Sequence, residues 1–459
     1  MSRRGFHTVT LGCKLNQFDG SAIEGELMRR GLERRETPDD AAVVVINTCT
    51  VTHRADAEAR RLIRRVRRRN PECCLLVTGC FAEREPETIR ALGGVDRVFG
   101  NRDKPELPSI LDDLGIRGPG HPPTSRRLAR LAGGATDRGC DGTLGLPEAL
   151  HFGDRSRAFL RVQEGCRLSC SYCIIPEVRG PSRSVPPHKI ETAMISLFDA
   201  GYHEVVLTGV NTGDYGRDLE PCIDLATLLR RLLVRCSGRR IRLNSLEPLT
   251  VTDEIVELMA SGGRLAPHLQ VPLQSGSAEI LRRMRRNYRL QTYADRLARL
   301  REAIPEIGLG ADVIVGFPGE TETAFRETLD FIASSPLNYL HVFAWSARPG
   351  TPAARFPDRV HSAEIRQRST RLRALGSKLS RDFRERFLGQ ELEAVILSLP
   401  ESRRPGRALT GNFIEVAFTA GEPAPGGLMK LRVDGVDRET THATLTSRPA
   451  GRLPERASR

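Results

Sequence analysis

Three cysteines in one short loop are the residues best suited to chemistry in this sequence. Cys166, Cys170 and Cys173 lie in GCRLSCSYC, directly after a predicted strand, with the spacing C-x3-C-x2-C. Thiolates are preferred ligands of iron–sulfur clusters, and three of them leave one iron of a [4Fe–4S] cluster free to bind a small chelating ligand. A zinc site would need a fourth ligand, for which His188 is the nearest histidine downstream. The spacing therefore favours an iron–sulfur cluster at these cysteines, which we call the loop triad.

Three further cysteines are dispersed but share a local context. Cys13 in LGCKLN, Cys49 in INTCTV and Cys80 in VTGC each follow a predicted strand at its carboxyl end. In an open parallel sheet those ends line one crevice, so the three thiols could converge on a second cluster. Buried free cysteines are also common, and spacing alone leaves both interpretations open. We call these residues the strand-end triad.

The pattern of apolar runs predicts an α/β protein with three structural parts. Residues 1–116 are expected to form an open parallel sheet with strands at 6–11, 41–47, 73–78 and 95–99. Residues 117–151 are rich in Gly, Pro and Arg and are expected to be a linker.

The rest of the chain is expected to hold a partial (β/α)6 barrel and a small all-β domain. The barrel would occupy 152–387, with strands at 158–162, 204–208, 240–244, 268–271, 310–315 and 339–343. The all-β domain would occupy 388–450, with strands at 392–397, 414–418, 430–433 and 443–445. A basic helix at 362–387 is expected between the barrel strands and this domain.

Composition bears on partners and location. The net charge of +13 suits a polyanionic partner, although the 70 basic residues are almost all arginine, which a GC-rich coding bias would also produce. No apolar run reaches the roughly 20 residues of a membrane span, and no signal peptide is evident, so we expect a cytoplasmic protein. Eleven cysteines in such a protein indicate metal binding or catalysis rather than disulfides.

These motifs resemble a known family. GCRLSCSYC resembles the signature of the radical S-adenosylmethionine superfamily. The resemblance implies that the loop triad holds a [4Fe–4S] cluster whose open iron binds S-adenosylmethionine and cleaves it to a 5′-deoxyadenosyl radical. The contexts LGCKLN, NTCTVTHRAD and TGC resemble the N-terminal domain of the methylthiotransferases, which implies that the strand-end triad holds an auxiliary [4Fe–4S] cluster carrying the sulfur to be inserted. The resemblance covers essentially the whole chain, including a TRAM-like RNA-binding domain at 388–450.

The resemblance also implies contacts to S-adenosylmethionine from residues at the ends of strands. These residues are Gly209, Asn211, Arg242, Ser245, Glu247, Gln270, Gln274 and Gly316. The first two are expected near the methionine amino group, the next three near ribose or carboxylate, and the last near adenine. Asn244 stands where a second serine is expected, which leaves that contact open.

Two arginine-rich segments are candidates for RNA contact. The predicted helix 54–70 contains eight arginines, which would equally suit a solvated face. The second segment surrounds Tyr288, an aromatic side chain that could stack on a base. Its arginines are Arg282, Arg283, Arg285, Arg286 and Arg289.

The resemblance predicts methylthiolation of a modified adenosine beside the anticodon of tRNA (position 37). LGCKLNQFDG, NTCTVTHRADAEAR and CSYCIIPEVRG resemble the branch that acts on N6-threonylcarbamoyladenosine, with Arg179 and Arg183 as candidate cations for its carboxylate. Isopentenyladenosine in tRNA and an aspartate of a ribosomal protein are alternative targets. A different class of function would be an RNA-binding protein with structural or redox-sensing clusters. The enzyme would also need an electron donor and a sulfur source, which the sequence does not identify.

Overall fold

The computed structural model describes residues 5–116, 152–153, 155–262, 264–401, 404–419 and 425–446. The predicted linker 117–151 lies outside these ranges. Within them the chain forms an open parallel sheet, a partial barrel of parallel strands and a small closed barrel, which confirms the predicted fold class.

The first part of the chain is a five-stranded parallel sheet with helices on both faces. The strands are β1 (Gly5–Thr10), β2 (Glu33–Arg34), β3 (Val43–Thr48), β4 (Cys74–Gly79) and β5 (Arg97–Val98). The helices are α1 (Lys14–Arg29), α2 (His53–Arg69), α3 (Cys80–Arg84), α4 (Pro86–Arg90) and α5 (Leu107–Asp113). The strand order is β2-β1-β3-β4-β5, which places β3 at the centre.

The alternation of side chains along β3 explains why both faces of this sheet are covered. Val44 and Ile46 belong to one apolar core, whereas Val43 and Val45 belong to the core on the opposite face. Successive residues of a strand point to opposite sides, so a continuous apolar run needs helices on both sides. The strand-end triad converges because β1, β3 and β4 are adjacent and parallel, so their carboxyl ends lie side by side.

The central part is an incomplete barrel of six parallel strands in chain order. The barrel strands are β6 (Ala158–Arg161), β9 (Glu204–Thr208), β10 (Arg240–Leu243), β11 (His268–Gln270), β12 (Gly308–Val315) and β13 (Tyr339–Ala344). A short pair, β7 (Gln163–Glu164) and β8 (Arg183–Ser184), flanks the loop triad. Isolated bridges, Ile241 to Leu265 and Ser245 to Gln270, join the halves β6-β9-β10 and β11-β12-β13.

Helices connect the barrel strands as predicted. They are α6 (Ile175–Arg179), α7 (Pro187–Asp199), α8 (Leu225–Leu233), α9 (Asp253–Ala260), α10 (Ala278–Arg283), α11 (Leu290–Ala303) and α12 (Glu322–Ser334), followed by the long α13 (Ser362–Glu385). The predicted basic helix corresponds to α13. The carboxyl ends of parallel barrel strands are where such folds place their chemistry.

The last part is a closed five-stranded barrel. Its strands are β14 (Glu391–Ser398), β15 (Gly406–Thr410), β16 (Glu415–Phe418), β17 (Leu428–Val436) and β18 (Thr441–Leu445). The prediction missed β15, because Pro405 and Gly411 bound a run too short to distinguish from a turn. Alternate residues of β17 (Met429, Leu431 and Val433) fill the barrel core.

Side chains from both ends of the chain pack into the central barrel. Phe18 of α1 belongs to the barrel core, with the Arg161 guanidinium 4.9 Å from its ring centroid. Phe413, after β15, stacks on His268 of β11 with ring centroids 4.1 Å apart. None of the helices in the described ranges combines the length and apolar character needed to cross a membrane.

Candidate active site

The three strands that precede the strand-end triad end side by side. Cys13 caps the start of α1 after β1, Cys49 follows β3, and Cys80 is the first residue of α3 after β4. Gly12 has φ of +97°, and a Cβ there would lie 2.7 Å from the Cβ of Cys49, so only glycine permits this approach of the two loops. The dispersed cysteines are therefore brought to one edge of the sheet.

The thiols of the strand-end triad influence one another electrostatically. Burial raises the pKa of Cys49 to about 12; a hydrogen bond from the Val51 backbone opposes this rise, and the neighbouring Cys80 and Cys13 reinforce it. All three are free thiols. Three free thiols at the carboxyl ends of neighbouring parallel strands suit iron–sulfur ligation.

The loop triad lies between β7 and β8 of the central barrel. Burial raises the pKa of Cys173 to about 12, with Cys170 and Cys166 adding to the rise, and all three are free, half-buried thiols. The Leu168 backbone N–H lies 3.4 Å from the Cys166 sulfur. This donor stabilises a thiolate, the form that binds iron.

Helix α6 connects the two triads directly. It begins two residues after Cys173, and Ile174 and Val178 pack with Cys80 in one small apolar cluster. The Asn101 amide donates to the Cys80 sulfur at 3.5 Å and to the Val178 carbonyl at 3.0 Å. A side chain of the strand-end triad therefore packs against the segment that follows the loop triad.

Arg179 at the end of α6 anchors this contact through buried ion pairs. Its guanidinium lies 2.9 Å from Asp19 and 2.7 Å from Glu164, and it also donates to the Asn16 side chain. Burial alone would lower the pKa of Arg179, but Asp19 and its other anionic neighbours raise it well above the usual value. The Arg179 guanidinium is fully engaged in the contact between the sheet and the barrel. The expectation that Arg179 offers a cation to the substrate is therefore wrong.

Two of the predicted cofactor-binding residues lie at the end of β9. A Cβ at Gly209 would lie 2.8 Å from Gln163 Oε1, and that same oxygen accepts the Asn211 backbone N–H at 2.9 Å. Among the described residues the buried Asn211 Oδ1 and Thr208 Oγ1 have no hydrogen-bond partner. Buried polar atoms are normally paired, so these two fit a polar ligand such as the amino-acid part of S-adenosylmethionine.

Other predicted contacts also lie at strand ends. The Ser245 carbonyl accepts from Thr212 Oγ1 at 2.6 Å, and Gln270 Nε2 donates to Asp312 Oδ1 at 2.7 Å. Gln274 and Gly316 adopt φ of +68° and +78° in the turns after β11 and β12. The structure brings these residues to the same end of the barrel as the loop triad.

Glu247 is linked to the loop triad through an arginine. Its carboxylate pairs with Arg286, whose Nη1 lies 3.4 Å from the Cys170 sulfur and 3.3 Å from Glu247 Oε1. Arg286 was grouped by sequence with a possible RNA-binding patch, but its side chain is buried against the triad. Nearby Tyr288 is only 7% exposed, and its hydroxyl donates to the Leu273 carbonyl, so this ring is not available to stack on a base.

The structure corrects the prediction for Arg242. Its side chain is fully buried, 3.0 Å from Glu204, the first residue of β9. It also donates to the carbonyls of Thr410 and Gly411, which belong to the last part of the chain. Among the described residues, the contacts of the Arg242 guanidinium therefore join the two barrels.

Sequence reasoning did not single out Lys14, although it lies in the quoted LGCKLN motif. Its ammonium crosses from the sheet to the barrel and donates to Asn244 Oδ1 at the end of β10. Burial lowers the pKa of Lys14 to about 8, and Arg157 and Arg242 contribute to the decrease. The available signal was compositional, because Lys14 is one of very few lysines in an arginine-rich chain.

Similarity to known proteins agrees with this geometry. Residues 160–332 match the Radical SAM superfamily, and residues 5–100 match Uncharacterized protein family UPF0004. The threonylcarbamoyladenosine tRNA methylthiotransferase MtaB of Bacillus subtilis is 39% identical over 438 residues, which cover 94% of both chains. The protein of the same name from Aquifex aeolicus is 36% identical over 89% of this chain and 95% of its own.

A second group of relatives and one solved structure complete the comparison. A tRNA-2-methylthio-N(6)-dimethylallyladenosine synthase of Clostridium botulinum is 30% identical over 93% of this chain and 94% of its own. The radical S-adenosylmethionine methyltransferase TsrM of Kitasatospora setae has a TM-score of 0.55 at 17% identity over 77% of both chains, which shows a shared fold. With two motif-bearing regions matched and relatives similar along nearly their whole length, the chain belongs to the radical S-adenosylmethionine methylthiotransferases, a family that works with a [4Fe–4S] cluster and S-adenosylmethionine.

Proposed function

We propose that this enzyme attaches a methylthio group to C2 of N6-threonylcarbamoyladenosine in tRNA, giving 2-methylthio-N6-threonylcarbamoyladenosine. The observation that supports the chemistry most directly is the packing of Cys80 against Ile174 and Val178, which joins the two triads through one short helix. The choice of substrate is supported by relatives named for threonylcarbamoyladenosine at 34–39% identity, against 30–31% for those named for dimethylallyladenosine.

The two triads are proposed to hold two [4Fe–4S] clusters. The loop triad would hold the cluster that binds S-adenosylmethionine, and the strand-end triad would hold an auxiliary cluster beside it. The cofactor supplies a carbon radical able to abstract hydrogen from an inert C–H bond, which acid–base side chains cannot do. The fit rests on six free thiols and on the unpaired buried oxygens of Asn211 and Thr208.

The protein side chains position the cofactor and substrate. Gly209, Asn211 and Ser245 would hold the amino-acid and ribose portions of S-adenosylmethionine at the strand ends, while Gln270 and Gln274 line the next ends of the barrel. Glu247 acts through Arg286, which donates toward Cys170. Gly316, whose backbone N–H donates to Glu320 at 2.8 Å, shapes the turn at the proposed adenine side.

The small barrel at the end of the chain is proposed as a TRAM-like domain that contributes RNA affinity. Arg407 and Arg432 project from β15 and β17 with more than half of each side chain exposed. Exposed arginines of this kind bind phosphates without reading sequence. The exposed arginines of α2 would extend the basic surface near the strand-end triad. We place the reaction in the cytoplasm, with an electron donor and a sulfur source supplied by other molecules.

The substrate assignment is tested with two modified tRNAs. Reconstituted enzyme is incubated with S-adenosylmethionine, a reductant, a sulfur source and tRNA bearing either the threonylcarbamoyl or the isopentenyl group, and nucleosides are analysed by mass spectrometry. We expect a methylthio product from the threonylcarbamoyl tRNA alone. Product from the isopentenyl tRNA alone would assign the enzyme to the dimethylallyladenosine branch.

A second measurement distinguishes an enzyme from an RNA-binding protein with structural clusters. The same mixture is assayed for 5′-deoxyadenosine, the product of reductive cleavage of S-adenosylmethionine. We expect this nucleoside in amounts that depend on the reductant and on the loop triad. Its absence from protein loaded with iron and sulfide would reject the enzymatic assignment.

A further inference from the structure

Lys14 occupies the space between the two parts of the active site. It is the first residue of α1 and directly follows Cys13, so its backbone belongs to the edge where the strand-end triad converges. Its side chain reaches across to Asn244, which follows β10 and precedes Ser245 at the cofactor end of the barrel. One ammonium group therefore touches the structural elements of both cluster sites.

The carboxylates nearest this ammonium already have other partners. Lys14 lies within electrostatic range of the guanidinium groups of Arg157 and Arg242 and of the carboxylates of Glu204 and Asp312. Both oxygens of Glu204 are held by buried arginines, at 3.0 Å from Arg242 and 2.7 Å from Arg240. Glu204 is therefore already paired with arginines.

Asp312 is also engaged elsewhere. Its Oδ1 accepts from Gln270 at 2.7 Å and lies 3.2 Å from His341 Nδ1. Across the described ranges, no carboxylate lies within ion-pair distance of the Lys14 ammonium. A cation kept partly buried with only a neutral amide as its partner is costly unless an anion joins it.

The two candidate substrates differ in whether they can supply such an anion. The threonylcarbamoyl group carries one carboxylate, whereas the isopentenyl group is apolar and carries none. A partly desolvated ammonium forms a strong charge-assisted hydrogen bond with a carboxylate and is left unpaired by an apolar analogue. Arg179, the cation that sequence suggested for this role, is already bound to Asp19 and Glu164.

We propose that Lys14, oriented by Asn244, binds the carboxylate of the threonylcarbamoyl group and so determines which modified adenosine the enzyme accepts. This inference rests on the proposed function and adds a specificity-determining residue to it. The carboxylate of the substrate would supply the anionic partner that the described residues do not give Lys14. Lys14 acts as a binding group and takes no part in proton transfer.

The test changes both members of the proposed contact. Lys14→Met and Lys14→Arg are compared with wild type on tRNA bearing the threonylcarbamoyl group and on the same tRNA with that carboxylate converted to its methyl ester. Lys378→Met is the matched control, because Lys378 lies exposed on α13 and pairs with Asp382. Iron content and 5′-deoxyadenosine formation without tRNA are measured for each variant, so that damage to the clusters is detected separately.

We expect Lys14→Met to lower kcat/KM on the acid substrate by about 10- to 150-fold, the range for one hydrogen bond to a charged group. The ester should react poorly with wild type and no worse with Lys14→Met, while Lys14→Arg should recover part of the activity on the acid. An equal loss on acid and ester, or no loss on the acid, would overturn the role of Lys14 alone. Failure of wild type on the acid substrate, with turnover of isopentenyl tRNA, would overturn this inference together with the proposed function.

Discussion

The loop triad and the strand-end triad each present three thiols, but on different kinds of scaffold. In the loop triad the covalent chain itself sets the spacing, and local backbone contacts such as the 3.1 Å hydrogen bond from Cys173 N–H to the Cys170 carbonyl complete it. In the strand-end triad the thiols follow three separate strands, so their spacing depends on the sheet. A local motif can be recognised in the sequence and needs few tertiary contacts to bring its thiols together. A dispersed motif forms only when the tertiary structure around it is intact.

The largest expected effect separates the two triads by function. Cys166→Ala removes a ligand of the proposed cofactor-binding cluster, so we expect both 5′-deoxyadenosine and methylthio product to be lost completely. Cys49→Ala removes a ligand of the auxiliary cluster, so we expect loss of the product with reductive cofactor cleavage retained. Cys222→Ala, at an exposed free thiol that belongs to neither triad, serves as the control. Product formation by Cys49→Ala at the wild-type rate would contradict the auxiliary role.

The second prediction concerns the dependence of the strand-end triad on tertiary contacts. The buried Asn16 amide donates to the Leu11 carbonyl at 2.7 Å and to the Thr48 carbonyl at 3.0 Å, and so joins the loops of Cys13 and Cys49. Asn16→Leu leaves these carbonyls unpaired, at a cost of about 1–3 kcal/mol each. We expect the iron content of reconstituted protein to fall by about half, because only the auxiliary cluster is lost.

The measurement for Asn16→Leu pairs iron analysis with cofactor cleavage. Retained 5′-deoxyadenosine formation would show that the loop triad assembles without its neighbour. Loss of all iron would show instead that the two sites assemble as one unit, which the Asn16 contact to Arg179 also permits. Gln291→Leu, on the exposed surface of α11, controls for removal of an amide.

The same contrast explains how far the sequence could predict this molecule. The apolar runs of β3, β9 and β12 identify inner parallel strands, because such runs must be buried on both faces. The loop triad was recognisable from its spacing, and the strand-end triad from its position after three strands. The partners of Arg179, Arg242 and Arg286 could not be predicted from the sequence. Nothing in the local sequence around an arginine indicates which distant carboxylate it will pair with in the folded protein.

Misassigned arginines share one physical feature. Arg242 and Arg286 were interpreted as surface or cofactor-facing groups, yet both lie buried beside a glutamate far away in the sequence, Glu204 and Glu247 respectively. Burial of an arginine is tolerated only when paired, and pairing is a tertiary property. Lys14 was overlooked for the opposite reason, since its importance lies in a carboxylate partner that the protein does not provide.

A third prediction uses Arg286 to alter only the loop triad. Arg286 places a positive charge 3.4 Å from the Cys170 sulfur, which stabilises the more negative, reduced state of a cluster bound there. Arg286→Met removes this charge, so we expect the reduction potential of that cluster to fall by on the order of tens of millivolts. An EPR-monitored redox titration of the Cys49→Ala background isolates this cluster, and an unchanged potential would contradict the electrostatic role.

The smallest expected effect concerns RNA binding by the terminal barrel, which neither triad requires. Deleting this barrel would be a poor test, because Arg242 and Arg240 donate to carbonyls of Thr410 and Leu409, and the central barrel would lose those contacts. Arg407→Ser is preferable, since Arg407 is exposed and pairs only with the exposed Glu415 among the described residues. Each lost phosphate contact lowers the slope of log affinity against log salt by about 0.7–0.9. We therefore expect Arg407→Ser to reduce that slope by no more than this amount for tRNA, with iron content and cofactor cleavage unchanged.

Arg326→Ser is the matched control, because Arg326 is similarly exposed and paired with Glu322 but lies on α12 of the central barrel. If both variants changed the slope equally, RNA affinity would belong to the basic surface as a whole rather than to the terminal barrel.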